Sequence, residues 1–450
     1  MVKANQVRTI AAIRKTVLIT LLLASMALII LMTFLVYTNA VEKIDLSIFW
    51  CLVYVTSIVF IIVKFRNGLF FDPMFVLPSA YFFILVVGSL LFHWIEQRDY
   101  SVYASNLIGV GYLSLIIGLL LSSTYLYRFV GFKIIKPVPQ PCPLKNKLII
   151  NLFIIISIIA SLILYIKSGG SPLLAENKNE AKLGLLAGNG YLSIFVIGLQ
   201  MLSLAVLYDL CAKNKKLLRS HILAIVVIFI LFLSGFRSKT MLFGAEYISL
   251  MLLFYRRKLS LTLLVSCTFI VTLFLGAMGS FRNRGSLDLL SILNEIGIIL
   301  TARPIMVELI IRNFNDSHYF WGSRYFADLV KLLPGSQTGA NVALKYEIFP
   351  NADKLPDMAG VTPSIVGEAY MNFGSSGILW VMLFMGTFLG LTYSYIKQNP
   401  SFKACAFYLT LVFGMAGAMQ SGIGTKIVHL VLFWFWIFGI GIFCEGEVNQ

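Results

Sequence analysis

The chain has 450 residues, of which 59% are hydrophobic and only 12% charged, and it carries a formal charge of +16 with a mean hydropathy of +0.87. So few charged side chains cannot clothe a water-facing surface, which excludes a soluble enzyme, a nucleic-acid-binding domain and a secreted disulfide scaffold and leaves a polytopic membrane protein. The surplus of positive charge must then be explained by topology.

Apolar runs long enough to cross, or nearly cross, a hydrocarbon core of about 30 Å occur at 17–37, 47–63, 74–92, 106–127, 148–166, 191–210, 221–236, 240–255, 259–279, 376–396, 404–419 and 427–444. This is an all-α protein of about 12 transmembrane helices. Lys3, Arg8, Arg14 and Lys15 precede the first run, so the positive-inside rule puts the N-terminus in the cytoplasm and parity assigns each later connection, the C-terminus also being cytoplasmic. The inner segments then hold 20 of the 36 Lys and Arg residues with Asp72, Asp209, Glu445 and Glu447 as their only acids, a net +16, whereas the outer segments hold 16 bases against 15 acids. The basic balance is a topology signal and calls for no nucleic-acid partner. The first run is about twice the length of a signal-peptide apolar region and reads as a retained helix. The six cysteines, Cys51, Cys142, Cys211, Cys267, Cys405 and Cys444, fall in spans or on the inner face, so neither a disulfide framework nor a cysteine metal site is expected.

Inner connections are short. The longest, 128–147, is a basic, Pro-rich strap containing KPVPQPCP, and the sequence has neither a P-loop nor a Gly-rich βαβ fingerprint. Without a cytoplasmic nucleotide-binding fold, any chemistry has to draw on a substrate already in or across the membrane, and no cofactor is expected. The outer face carries a 23-residue loop at 168–190 and a 96-residue loop at 280–375, inserted between the ninth and tenth spans of a single membrane domain. A loop of that length is functional or disordered, and apolar periodicity argues for structure. Leu289, Ile292, Leu293, Ile296, Ile299 and Leu300 share one helical face over 288–300, which predicts an interfacial helix. A second helix is expected to start at Pro304, with Glu308 and Arg312 as an i,i+4 pair.

Basic residues recur at the outer rim. Arg237 and Lys239 lie in the turn SGFRSK between two short spans, Arg282 and Arg284 in GSFRNRG, Arg303 in TARP, and Lys426 in QSGIGTK with His429 one turn deeper. Positive charge is normally avoided on that face, and converging guanidinium groups suit a diphosphate because their planar forks donate paired hydrogen bonds. Glu246, in mid-span, calls for protonation or a partner such as Arg237, and a structural ion pair is the simplest reading. Candidates for proton transfer are Glu368, His318 and Asp357. Tyr319, Phe320, Trp321, Tyr325 and Phe326, in HYFWGSRYF, are candidates for stacking on sugar rings, although aromatic belts at membrane interfaces have the same composition.

Three stretches, GGSPLLAENKNEAKLGLLAGNGYL at 169–192, LSGFRSKTMLFG at 233–244 and GVTPSIVGEAYMNFGSSGILWVMLFMGTFLG at 360–390, together with the span layout, resemble the bacterial oligosaccharide repeat-unit polymerases, the Wzy-type O-antigen polymerases. The resemblance implies a GT-C-like membrane glycosyltransferase of the bacterial inner membrane. Such an enzyme acts outside the membrane on undecaprenyl-diphosphate-linked oligosaccharides, in contact with membrane lipid, and admits a chain-length regulator protein as a partner. Arg237 is similar to the family's arginine after the seventh span, and Glu368 to the acid of its GExxxNFG-like run. An O-antigen ligase-like transferase shares architecture and donor and stays open as an alternative. A flippase or transporter of the same lipid-linked glycan fits less well, because such proteins show internal repeats and several deep ionisable groups.

Overall fold

The computed structural model describes residues 46, 49–57, 72–96, 99–122, 146–167, 170–171, 190–213, 215–233, 237–255, 273, 276–277, 280, 288–314, 319–332, 339–349, 351, 361–398 and 401–444. Among these residues the chain is helical throughout, without a strand. The long helices are α1 (Pro73–Leu90, with a π-turn at Phe82–Val86), α3 (Val102–Leu121), α4 (Lys147–Lys167), α5 (Gly190–Ala212), α6 (Leu218–Leu233), α7 (Arg237–Tyr255), α8 (Leu289–Asn313), α11 (Ser364–Gln398), α12 (Phe402–Ser421) and α13 (Gly424–Cys444). Short helices are α2 (Phe92–Glu96), α9 (Ser323–Phe326, continued as a 3-10 turn to Leu332) and α10 (Ala340–Ile348), and residues 49–57 are helical as well. Among the described residues, seven helices are long and apolar enough to cross a membrane, and α6 and the Gly424–Ile440 part of α13 are shorter apolar stretches. The protein is membrane-embedded. Expected spans at 17–37 and 259–279 lie almost wholly outside the described residues.

Side chains adjoining the apolar runs start several helices. Asp72 accepts from the Met74 N–H at 3.0 Å ahead of α1, Asp288 from Ser291 at 2.9 Å ahead of α8, and Ser401 from Ala404 at 3.2 Å ahead of α12, each satisfying a first-turn donor that has no partner within the helix. Short connections then force neighbours to fold back on each other. Five residues separate α5 from α6 and three separate α6 from α7, so α5 and α7 run in the same direction with α6 reversed. Helix α4 runs parallel to α6: Arg219 donates to Asn151, the Tyr165 hydroxyl to the Ile230 carbonyl, and Ser171 to the Leu233 carbonyl at 2.6 Å.

The closest crossing in the bundle pairs α3 with α11, also parallel. Gly111 faces Ile378, Gly118 faces Gly386 and Gly390 faces Ser122, so small residues let the two backbones touch. A methyl group on Gly386 would overlap the carbonyl of Leu115, a backbone atom that cannot swing away. Gly386→Ala should therefore cost about 1–3 kcal/mol and visibly lower the apparent melting temperature in detergent. Gly244→Ala, in the open, should leave it unchanged or raise it slightly.

Two elements differ from the sequence reading. Residues 289–313 form one helix, α8, not two. Pro304 cannot donate to the carbonyl of Leu300, and that carbonyl packs directly against Gly88 of α1, so the helix continues through the proline because a side-chain-free neighbour leaves room for the displaced carbonyl. The Glu308–Arg312 pair forms as expected. Helix α11 begins at Ser364, well ahead of the apolar run at 376, and is broken at Gly374, whose φ of +69° is non-helical. The break separates a polar outer arm, 364–373, from the apolar span.

Candidate functional site

Helices α7, α11 and α13 begin at one end of the bundle, the end that the sequence's charge pattern leads one to expect outside. There α12 stops at Gly422, whose φ of +86° strongly favours glycine, and α13 starts two residues later. The resulting tight hairpin would leave its first N–H groups without partners. Glu368, on the polar arm of α11 and 3% exposed, supplies them: its carboxylate accepts from the Ile423 N–H and from the Gly424 N–H at 3.0 Å. An acid placed at a helix N-terminus is favoured by the helix dipole and by charge-assisted hydrogen bonds. The fit leaves no slack, because a Cβ at Gly422 would lie 2.9 Å from one Glu368 oxygen and a Cβ at Gly424 2.7 Å from the other.

One turn along the same arm, Asn372 is fully buried. Its amide donates to the Glu368 carbonyl at 2.9 Å and its side-chain oxygen accepts from the Gly322 N–H at 3.0 Å. The break at Gly374 leaves carbonyls of the arm open to outside donors, and those of Met371 and Asn372 accept from the Phe320 and Trp321 N–H groups, each at 3.1 Å. The segment 319–332 is thereby stitched onto α11. Arg324, 8% exposed, closes the layer: it pairs with Glu347 of α10 and lies 4.1 Å over the Phe320 ring. Asp328 accepts from the Ala340 N–H at 2.7 Å, capping α10. The Tyr325 hydroxyl is buried beside Asn372 and Glu368, and burial first, then the Glu368 charge, push it well above the ordinary tyrosine range.

Of the basic residues, Lys426 belongs to the same hairpin. Helix α7 begins at Arg237, so Arg237 and Lys239 occupy its first helical turn where a turn was expected. Lys426 occupies the first turn of α13. Gly417 of α12 packs against Lys426 and against Leu242 in the second turn of α7: a Cβ there would lie 3.1 Å from Lys426 Cε and 3.3 Å from both Lys426 Nζ and Leu242. The N-terminal part of α13, which bears Lys426, and the second turn of α7 thus approach one glycine, and a helix N-terminus bearing a cation attracts an anion. Arg303 donates to the Thr362 hydroxyl, six residues ahead of Glu368. His318, Arg282, Arg284 and Asp357 lie outside the described residues, as does the side chain of Arg237.

Glu246 is 2% exposed, and its Oε2 receives no hydrogen bond. The pairing with Arg237 that the sequence suggested involves a side chain outside the described residues. Among the described residues, no group of three or more His, Cys, Asp and Glu side chains comes together. Sequence reading missed Arg324, Asp328 and Asn372 as organisers of the outer layer; the single available signal was the charged pattern of SRYFAD within an apolar stretch. No protein-family model matches the chain, and no curated protein or solved structure is significantly similar to it.

Proposed function

We propose that the chain is a membrane glycosyltransferase that polymerises undecaprenyl-diphosphate-linked oligosaccharide repeat units on the outer face of the cytoplasmic membrane. The observation that carries the reading is the approach of Lys426, in the first turn of α13, to Gly417 of α12 beside Leu242 near the start of α7. Fixed N–H dipoles and side-chain cations at the mouth of a helical bundle suit a lipid diphosphate, whose charge lies at the head-group level. The likeness of LSGFRSKTMLFG and of the GEAYMNFG run to the repeat-unit polymerases points to the same chemistry.

In this mechanism the acceptor sugar's hydroxyl attacks the anomeric carbon of the donor glycan. The glycosyl–phosphate C–O bond breaks and its electron pair leaves with undecaprenyl diphosphate. Lys426, Lys239 and Arg237, with Arg303, Arg282 and Arg284, stabilise the charge that develops on that leaving group. The donor's own glycosyl–phosphate bond provides the driving force, so no nucleotide is consumed. Glu368, whose carboxylate is engaged by α13, serves in this reading as an anchor, and His318, adjoining Tyr319, receives the hydroxyl proton.

The test is purified protein in nanodiscs supplied with lipid-linked repeat units and excess chelator. A ladder of glycan lengths is expected. Transfer of one intact glycan to an added lipid A core acceptor, without a ladder, would favour the ligase-like alternative, and strict dependence on added divalent metal would overturn the role given to the cationic side chains.

A further inference from the structure

Trp321 lies in the segment outside the long helices and is 77% exposed. Its backbone is unusual, with φ at +48°, a region that residues bearing a bulky side chain rarely adopt. Two hydrogen bonds hold it there, from the Trp321 N–H to the Asn372 carbonyl at 3.1 Å and from the Gly322 N–H to the Asn372 side chain at 3.0 Å. The indole is braced along its edges by Tyr319 and Phe373, with ring centroids 6.3 and 6.5 Å away and planes nearly perpendicular to its own. A strained backbone that is fixed by buried polar contacts and displays an aromatic side chain to the outside marks a place where display itself is the purpose.

The other aromatics of the segment are occupied differently. Phe320 is covered by Arg324 and packs on Phe314. The Tyr319 hydroxyl fills the space over Gly374, and Tyr325 packs on Phe373. Phe326 is exposed, but its backbone is ordinary helix. We propose that Trp321 is the stacking platform for a pyranose ring of the glycan substrate, a deepening of the polymerase reading and resting on it. The argument for a sugar over a lipid chain is positional. Trp321 belongs to the segment that abuts the α13 hairpin, where Tyr325 Cα lies 3.3 Å from a Cβ built on Gly424, two residues from Lys426. A diphosphate at Lys426 therefore delivers its first sugars to the neighbourhood of that face. The C–H faces of a pyranose match the flat, apolar indole, and its hydroxyls remain in water.

Soluble repeat-unit oligosaccharide, lacking lipid and diphosphate, is titrated into the full-length protein in nanodiscs, and binding is followed by saturation-transfer NMR and tryptophan emission. Wild type should bind with a change in emission. Trp321→Ala should bind about tenfold more weakly, and Trp321→Phe, which keeps a smaller ring and guards against misfolding, should fall between the two; both should lose the emission change. In chain extension the same variants should raise KM and leave kcat within about twofold. Unchanged affinity in Trp321→Ala, an emission change that persists without Trp321, or no glycan binding to wild type would each overturn the proposal. A Trp321 effect on nanodisc lipid alone, with glycan affinity unaltered, would also overturn it and identify an interfacial anchor. Trp321-dependent glycan binding by a protein that builds no ladder would instead remove the polymerase reading and leave the platform standing.

Discussion

Glu368→Ala is expected to destabilise the protein by about 3 kcal/mol, because the Ile423 and Gly424 N–H groups lose their shared acceptor in a buried hairpin. The outer segment 319–332, tied to the same arm of α11 through Asn372, should become cleavable by protease at concentrations that leave wild type intact. Gly422→Ala reaches the same failure from the opposite side: its methyl group would press on the Glu368 carboxylate at 2.9 Å and its φ of +86° would be strained. Glu368→Gln discriminates anchoring from proton transfer. An amide oxygen still accepts hydrogen bonds, so an anchoring role predicts partial stability and chain extension that declines in step with it. A proton acceptor would keep the fold and lose roughly 100-fold or more in rate.

Lys426→Met should lower the rate of chain extension by about 100-fold or more, the scale seen when one fixed stabiliser of a developing charge is removed. The methionine stem still fits against Gly417 and Leu242, where Lys426 already lies, so expression and melting temperature should stay near wild type. Arg237→Ala should abolish extension while the protein still inserts, since it removes a cation from the first turn of α7. The pair is measured by glycan ladder on gels and by single-turnover rate with lipid-linked repeat units. Normal polymer lengths in either variant would remove that residue from the site and, if both are normal, would remove the diphosphate-binding mouth from the mechanism.

Much of the bundle is legible in the residues because a membrane imposes a one-dimensional rule. Every backbone group must be satisfied locally in hydrocarbon, so apolar length marks a helix, and short connections such as those flanking α6 dictate its direction. Local chemistry carries the caps at Asp72, Asp288 and Ser401 and the Glu308–Arg312 pair, since each involves residues two to four positions apart. Where neighbours in space are distant in sequence, that rule is silent. The continuity of α8 through Pro304 depends on Gly88, more than 200 residues away, offering no side chain to the displaced carbonyl.

The same holds at the outer mouth. Glu368 reads from the residues alone as a candidate base, and its position 55 and 56 residues before two unpaired N–H groups leaves no periodic trace. Arg324 reads as an ordinary loop arginine until Phe320 and Glu347 close around it. Composition and charge were enough to establish a helical membrane protein, because hydropathy and charge act through solvent and are felt residue by residue. Which acid is already engaged was settled by packing, because hydrogen bonds and steric exclusion act only over a few ångströms between groups that the fold must first bring together.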